Sequence, residues 1–308
     1  MNTITNYWIG LLDNKTFIHF IFAWLDTIFP IYVFVICSKF KFMDLGKELL
    51  NNRRMLLLVA LETVVLIPLI AAGAVKLISI PLVLGGIMLI ASTAPGDPFD
   101  LVETHGKKGG LLLSSALMLF LVLIMPLSVP LWMAIFSKWF PLHLSVSPSG
   151  IFHAVAPKVL APLAVGLILS QTLPKLADKL SIILHKYFEI SAILITIYFL
   201  PLALAKILTF GLNGAIAMFI VTTLTLFLGY YTAKGFKFSR KDSISVALVV
   251  SLGNMAAVLF IAHNCYPKLD MIDFIVTVFG WIVLRWIFIW IWYFVMKFII
   301  AKKGEVIS

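Results

Sequence analysis

The chain of 308 residues consists mainly of apolar runs of about 20 residues, separated by short polar stretches. A run of this length crosses a hydrocarbon core about 30 Å thick when it is an α-helix. The runs lack the alternation of apolar and polar residues that is typical of barrel strands. Hydrophobic residues make up 62% of the chain and charged residues 12%, whereas soluble domains have about 45–50% and about 25%. The sequence therefore predicts an all-α polytopic membrane protein.

These runs predict about nine spans within a single membrane domain over residues 1–308. The predicted spans lie near residues 17–38, 55–75, 80–106, 110–136, 151–173, 187–206, 212–232, 243–266 and 271–299. The third span is broken by polar and helix-ending residues, and the eighth carries a second candidate break. Residues 1–16 contain only the short apolar segment YWIGLL, which favours an interfacial position over a tenth span.

The basic residues predict the orientation. Seventeen of the 24 Lys and Arg residues fall in segments 39–54, 107–108, 175–186, 234–241 and 297–303, which would all lie on one side of the membrane. By the positive-inside rule that side is cytoplasmic, so we expect the N-terminus outside and the C-terminus inside a plasma (inner) membrane. Topology thus explains the net charge of +10, and no nucleic-acid partner is expected. The expected partners are the lipid bilayer and a small-molecule solute.

The segment TAPGDPFD, residues 93–100, interrupts the third run. Pro95 and Gly96 end a helix, and Pro98 suits the first turn of a new one because it has no N–H to donate. Asp97 and Asp100 then stand where carboxylates cap the amino end of that helix. The alternative is that they hold a proton or cation, since ionisable groups at this depth usually mark a pathway. The two roles are compatible.

A second interruption, SLGNMAAV at residues 251–258, places Gly253 and Asn254 in the eighth run. The Asn254 amide needs a hydrogen-bond partner in hydrocarbon, so it either joins helices or faces the first break. Each broken span is followed by a long span, which gives the chain a rough internal symmetry. Repeats with broken helices in matching positions are typical of secondary transporters, because unwound backbone inside the membrane is tolerated only where it lines a cavity or lies buried in protein.

Two further charged residues, Glu62 and Arg285, lie inside predicted spans. A charge as deep as Arg285 costs about 2.5–3.5 kcal/mol or more, so we expect a buried carboxylate partner. The candidates are Asp97, Asp100 and Glu62. For Arg285, a structural ion pair and a substrate-binding role both stay open. For Glu62, a structural role and a functional role both stay open.

No enzyme motif is present in the sequence. It has no zinc-type His/Glu spacing, no G-x-S-x-G elbow and no phosphate loop in a strand–helix context. We therefore expect no catalytic activity, no cofactor and no metal site.

The segments around the breaks resemble the bile acid:sodium symporter family over about residues 20–300. LIASTAPGDPFDLVETHGKKGGLLLSSALMLFLVLIMPLSVPL is similar to that family's Ala-Pro-Gly turn, crossing half-helix and following long span. VAPKVLAPLAVGLILSQTLPKLADKL and VSLGNMAAVLFIAH resemble its sixth and its second crossing helix. The resemblance implies inverted repeats, with core-type helices at about 55–136 and 212–300 and panel-type helices at about 17–38 and 151–206. It also implies transport of organic anions, commonly with sodium.

The residues depart from the family at the implied sodium ligands. Ser114 keeps one of two hydroxyl ligands, whereas the second falls at Met118. The family's Glu on the ninth helix falls at Val249, and its Gln falls at Gly253, which leaves Asn254. The implied Gln of the third helix falls at about Thr63, and Asp97 and Asp100 replace a glycine and a serine. Sodium is therefore doubtful for this divergent member, and a proton is possible.

The sequence thus predicts a secondary transporter of a small organic solute that is proton-coupled or facilitative. Half-helix amino ends favour anions, but ionised Asp97 and Asp100 would offset that field. Either the two carboxyls are neutral when an anion binds, or the substrate is not an anion. The alternatives are a non-transporting sensor or scaffold that kept the fold, a sodium-coupled bile-acid-type symporter with altered ion sites, and a channel-like conductance.

Overall fold

The structure is a computed structural model. It describes residues 23–24, 27–28, 30–31, 33–35, 37–38, 42–96, 111–140, 148–251, 253, 257–259, 261 and 271–301. The helices are α1 (Phe42–Asn51), α2 (Arg53–Leu77), α3 (Leu82–Thr93), α4 (Leu111–Trp139), α5 (Pro148–Thr172), α6 (Pro174–Thr209), α7 (Gly211–Gly235), α8 (Arg240–Val250) and α9 (Met271–Ala301). The described residues within 23–38 and 257–261 are also helical, and the described part of the chain contains no strand.

Four described segments are long and apolar enough to cross a membrane: Arg53–Leu77, Ala116–Trp139, Gly211–Gly235 and Asp273–Phe298. The two halves of α6 form a fifth if they count as one span, and α3 and α5 contain shorter apolar stretches. Many large apolar side chains on α6 and α7 are exposed, as expected of faces that contact lipid. The prediction of an all-α polytopic membrane protein is confirmed.

Helix α6 differs from its predicted span at both its start and its middle. It begins at Pro174 rather than near 187, because Ala177, Ser181 and Phe188 form a buried stripe at helical spacing through the basic segment. The helix bends by 45° between Ile195 and Ile197. Pro201 explains the bend, because it has no N–H to donate to the carbonyl of the residue four positions earlier and its ring clashes with that carbonyl.

Small residues bring neighbouring helices close together. A Cβ atom placed on Gly229 of α7 would lie 2.9 Å from Ala247 Cα of α8. One placed on Gly166 of α5 would lie 2.9 Å from Cys37 Cβ, in the helical residues before α1. Such contacts matter in lipid, where packing and hydrogen bonds, rather than the hydrophobic effect, hold helices together.

The short helix α8 is fixed at its start by a cap. The Asp242 N–H donates to Ser239 Oγ at 3.1 Å, and the Ser239 hydroxyl donates to Asp242 Oδ2 at 2.6 Å. All residues of α8 from Ser243 to Val250 are buried, between α7 and α4 and, through a shared apolar cluster, against α9. Capping and burial together position the carboxyl end of α8 inside the bundle.

Candidate functional site

The two interrupted helices meet at their carboxyl ends. Helix α3 ends at Thr93 and α8 ends at Val250, and each is followed by a glycine in left-handed backbone: Gly96 with φ +85° and Gly253 with φ +46°. A Cβ atom on Gly253 would lie 1.7 Å from the Ala91 carbonyl oxygen in the last turn of α3. No side chain fits there, so only glycine permits this contact. We call this contact the crossing.

Helix α4 supports the crossing from behind. The Ser128 hydroxyl donates to the Thr93 carbonyl oxygen at 3.0 Å and so satisfies one of the last carbonyls of α3. A Cβ atom on Gly96 would lie 2.8 Å from Val122 Cγ2, so the chain after α3 runs directly against α4. Pro95, like Gly96, is buried. The break after α3 is therefore held inside the protein.

Arg285 of α9 reaches the carboxyl end of α8. Its Nη2 donates to Ser251 Oγ at 3.0 Å, and that hydroxyl donates to the Leu248 carbonyl oxygen at 2.7 Å. The guanidinium carbon lies 5.5 Å from the centroid of the Trp281 ring, within cation–π range. Arg285 is only 1% exposed. A full positive charge thus lies in the protein interior, beside the negative end of a helix.

Glu62 occupies a different place, within α2. It is 2% exposed, and its Oε1 accepts a hydrogen bond from the Thr232 hydroxyl of α7. Its Oε2 is buried without a hydrogen-bond partner. Glu62 is one of three carboxylates predicted as a partner for Arg285. In the structure it contacts Thr232 instead. Asp97 and Asp100 lie outside the described residues.

The helix around Glu62 is locally widened into a π-turn, Glu62–Leu66. Pro68 has no N–H, so the Val64 carbonyl lacks its usual donor four residues on. The Trp132 indole N–H of α4 donates to that carbonyl instead. Thr63 turns inward on its own helix and donates to the Val59 carbonyl at 2.8 Å. π-Turns are often found at functional sites, and this one places a carboxyl against α7.

An open groove lies beside the Glu62–Thr232 contact, between α2 and α7. Its volume is about 650 Å³, and its lining combines apolar residues with Tyr231 and Thr232. Thr232 therefore both lines this groove and contacts Glu62.

Several predicted site residues, or their side chains, lie outside the part of the chain that the structure describes. Pro98 and Asn254, like the two aspartates, lie outside the described residues, and the Ser114 side chain does too. Two of the positions that the resemblance implies for other sodium ligands are apolar in the structure. Met118 is 0% exposed and Val249 is 1% exposed, each within an apolar cluster.

Sequence reasoning missed Thr232 and Ser251, the hydroxyls that contact Glu62 and Arg285. Neither gave a distinctive signal, because Ser and Thr in apolar helices commonly bond to their own backbone. Only the packing of α2 on α7, and of α9 on α8, reveals their role.

Comparison with known proteins agrees with this architecture. Residues 27–213, more than half of the chain, match the model of the family described as "Sodium Bile acid symporter family". The chain is also 24% identical over 249 residues to "Uncharacterized sodium-dependent transporter YocS" of Bacillus subtilis (strain 168), which covers 79% of this chain and 76% of that relative. Both matches point to a membrane transporter rather than an enzyme. The chain belongs to the Sodium Bile acid symporter family.

Proposed function

We propose that this protein is a proton-coupled secondary transporter of a small organic anion and that Glu62 carries the proton. The observation that supports this role is the burial of the Glu62 carboxyl between α2 and α7, with the Thr232 hydroxyl on one oxygen and no partner on the other. An ionisable side chain inside a span is costly and is a functional-site hypothesis by default. The organic-anion class rests on the family.

The depth of Glu62 suits a proton carrier. It lies nine residues along α2 from Arg53, at the predicted cytoplasmic end, which is about 13 Å of helix. An ionised carboxylate at that depth is costly, and binding of a proton removes its charge. Neutralisation also changes what Glu62 offers to Thr232, so protonation acts directly on the contact between α2 and α7.

Asp97 and Asp100 are proposed as further proton-binding residues of the same transporter. They follow Gly96 at the break, where the family resemblance implies a glycine and a serine. Their neutral forms would let an anion approach the amino end of the half-helix after the break.

A sodium-coupled transporter is the second candidate, favoured by the name of the Bacillus subtilis relative, which is called a sodium-dependent transporter. Alkali and alkaline-earth cations require several oxygen ligands. Met118 and Val249, at two implied ligand positions, offer no side-chain oxygen, and both are fully packed among apolar side chains. This is the reason for preferring the proton.

The test begins with a thermal-shift screen of organic acids, organic cations and steroids on the purified protein. The best ligand, in labelled form, is then assayed for counterflow and for accumulation in proteoliposomes under an inward proton gradient or an inward sodium gradient. We expect accumulation with the proton gradient and no dependence on sodium. Sodium-driven accumulation alone would favour the second candidate. Ligand binding without counterflow would favour a sensor.

The variant Glu62→Gln tests whether Glu62 carries the proton. We expect the variant to keep counterflow and to lose accumulation driven by the proton gradient, because a side-chain amide does not gain and lose a proton as a carboxyl group does. Glu189→Gln is the matched control, since the Glu189 side chain is 55% exposed on α6 and bonds to His185 within the same helix. Unchanged proton-driven accumulation in Glu62→Gln would remove Glu62 from the mechanism.

A further inference from the structure

We propose that the Arg285 guanidinium is a built-in cation at the crossing, where it stabilises the facing carboxyl ends of α3 and α8 as a bound alkali ion would. The inference does not rest on proton coupling. It concerns the charge balance of the two broken helices, whatever ion accompanies the solute.

The two carboxyl ends at the crossing carry negative partial charge. A helix carries about half a negative charge at its carboxyl end, where its last carbonyls lack intrahelical donors. Helices α3 and α8 both end here, and the contact between Gly253 and the Ala91 carbonyl brings their last turns together. Two like ends in contact repel, and a positive group beside them reduces that repulsion. In secondary transporters the carboxyl ends of broken helices commonly coordinate an alkali ion.

Arg285 supplies a positive group at this place. The chain of hydrogen bonds runs from Nη2 through Ser251 Oγ to the Leu248 carbonyl in the last turn of α8. The positive charge of Arg285 therefore acts on the carboxyl end of α8, the helix end that a bound cation would also face. Helix α9, which carries Arg285, also contacts α3.

The burial of Arg285 distinguishes it from the other basic residues. Of the Lys and Arg side chains that the structure describes, Arg285 alone is buried. Trp281, 1% exposed on the same helix, lies beneath the guanidinium. A buried charge persists only with compensation, and the carboxyl end of α8 and the Trp281 ring both compensate the charge of Arg285.

A tethered cation has a consequence that a bound ion lacks. It cannot dissociate, so the crossing is assembled at every alkali-ion concentration. The protein should then have a stability that does not depend on which monovalent cation is present, and removal of the guanidinium should create such a dependence.

The experiment measures thermal unfolding of the full chain in detergent, at constant ionic strength, in sodium, potassium or choline chloride. We expect the wild type to unfold at the same temperature in all three salts. Arg285→Gln should unfold several degrees lower in choline chloride and regain part of the loss, in a saturable manner, with sodium or potassium. Arg54→Gln, which removes an exposed arginine of α2, is the control and should show neither effect.

Arg285→Lys keeps the positive charge but replaces the planar guanidinium, so it tests whether the charge alone is sufficient. It should fold and stay insensitive to the choice of cation, even if Arg285→Gln does not fold at all. The proposal is overturned if the wild type is stabilised by sodium over choline, if Arg285→Gln behaves alike in the three salts, or if Arg285→Lys fails to fold. Because no solute enters this assay, its failure is distinct from a failure of proton-driven uptake.

Discussion

The two buried charged groups of this protein, Arg285 and Glu62, stand in opposite electrostatic settings. Each contacts a hydroxyl outside its own helix: Ser251, directly after α8, for the guanidinium and Thr232 of α7 for the carboxyl. Arg285, however, lies at a helix end whose partial charge has the opposite sign, whereas Glu62 lies in the middle of α2, away from any helix end.

The difference separates a permanent charge from a changeable one. The carboxyl end of α8 and the Trp281 ring are fixed features that favour a cation at all times. Glu62 has only a hydroxyl donor on one oxygen, so its charge is poorly compensated when it is ionised. Arg285 therefore suits a structural role at the crossing, and Glu62 suits gain and loss of a proton.

The largest effect is expected where the two broken helices touch. Gly253→Ala places a Cβ atom 1.7 Å from the Ala91 carbonyl oxygen in backbone of positive φ, so the crossing must separate. We expect a loss of about 4 kcal/mol or more in stability, measured by thermal unfolding in detergent. Gly73→Ala in α2 is the control, because a Cβ atom there meets nothing within 4 Å. Equal unfolding temperatures for both variants would contradict the described contact.

A smaller effect is expected at the Glu62 contact. Thr232→Val removes the hydroxyl that donates to Glu62 and leaves both carboxyl oxygens without a partner. The expected loss is about 1–3 kcal/mol, and proton-driven accumulation should fall as well. Thr172→Val, at an exposed position where the hydroxyl bonds only to Ile168 of its own helix, should have little effect. Wild-type stability and uptake in Thr232→Val would separate Thr232 from the site.

The π-turn can be tested by restoring its missing donor. Trp132→Phe removes the indole N–H from the Val64 carbonyl, and we expect a loss of about 1–3 kcal/mol. Adding Pro68→Ala supplies the backbone N–H that this carbonyl lacks, so the double variant should unfold at a higher temperature than Trp132→Phe alone. If Pro68→Ala gives no recovery, the proline is not what frees the carbonyl.

The smallest effect is expected at the Lys206–Asp273 ion pair, which joins α6 to α9. These helices belong to the predicted panel-type and core-type groups, respectively. The Asp273 side chain is 41% exposed, so solvent weakens the pair, and Lys206→Met should cost about 0.2–1 kcal/mol and less in high salt. Unlike the buried Arg285 and Glu62, this pair should matter little. A large loss that is independent of salt would contradict this ranking.

Much of the fold follows from hydropathy. Helices α2 to α9 fall on the predicted spans because an apolar run of sufficient length has few alternatives to a helix in a bilayer. Glu62 and Arg285 stand out in the sequence for the same reason. The early start of α6 was not predicted, since the basic residues of 174–186 resemble a loop until the buried stripe of the helix is seen.

The contacts of the site could not be predicted in the same way. Glu62 pairs with Thr232 across 170 positions of sequence, and Arg285 with Ser251 across 34. Which helix faces which is decided by packing, such as the close approach of Gly229 to α8. A lone sequence gives no measure of that packing.

The central claim, that the solute moves with a proton, is tested most directly by the pH inside proteoliposomes that contain a trapped pH-sensitive dye. The ligand found in the thermal-shift screen is added outside in buffers free of sodium. We predict acidification of the interior with wild-type protein, unchanged when sodium is restored, and none with Glu62→Gln. Uptake that requires sodium and leaves the internal pH unchanged would contradict the account.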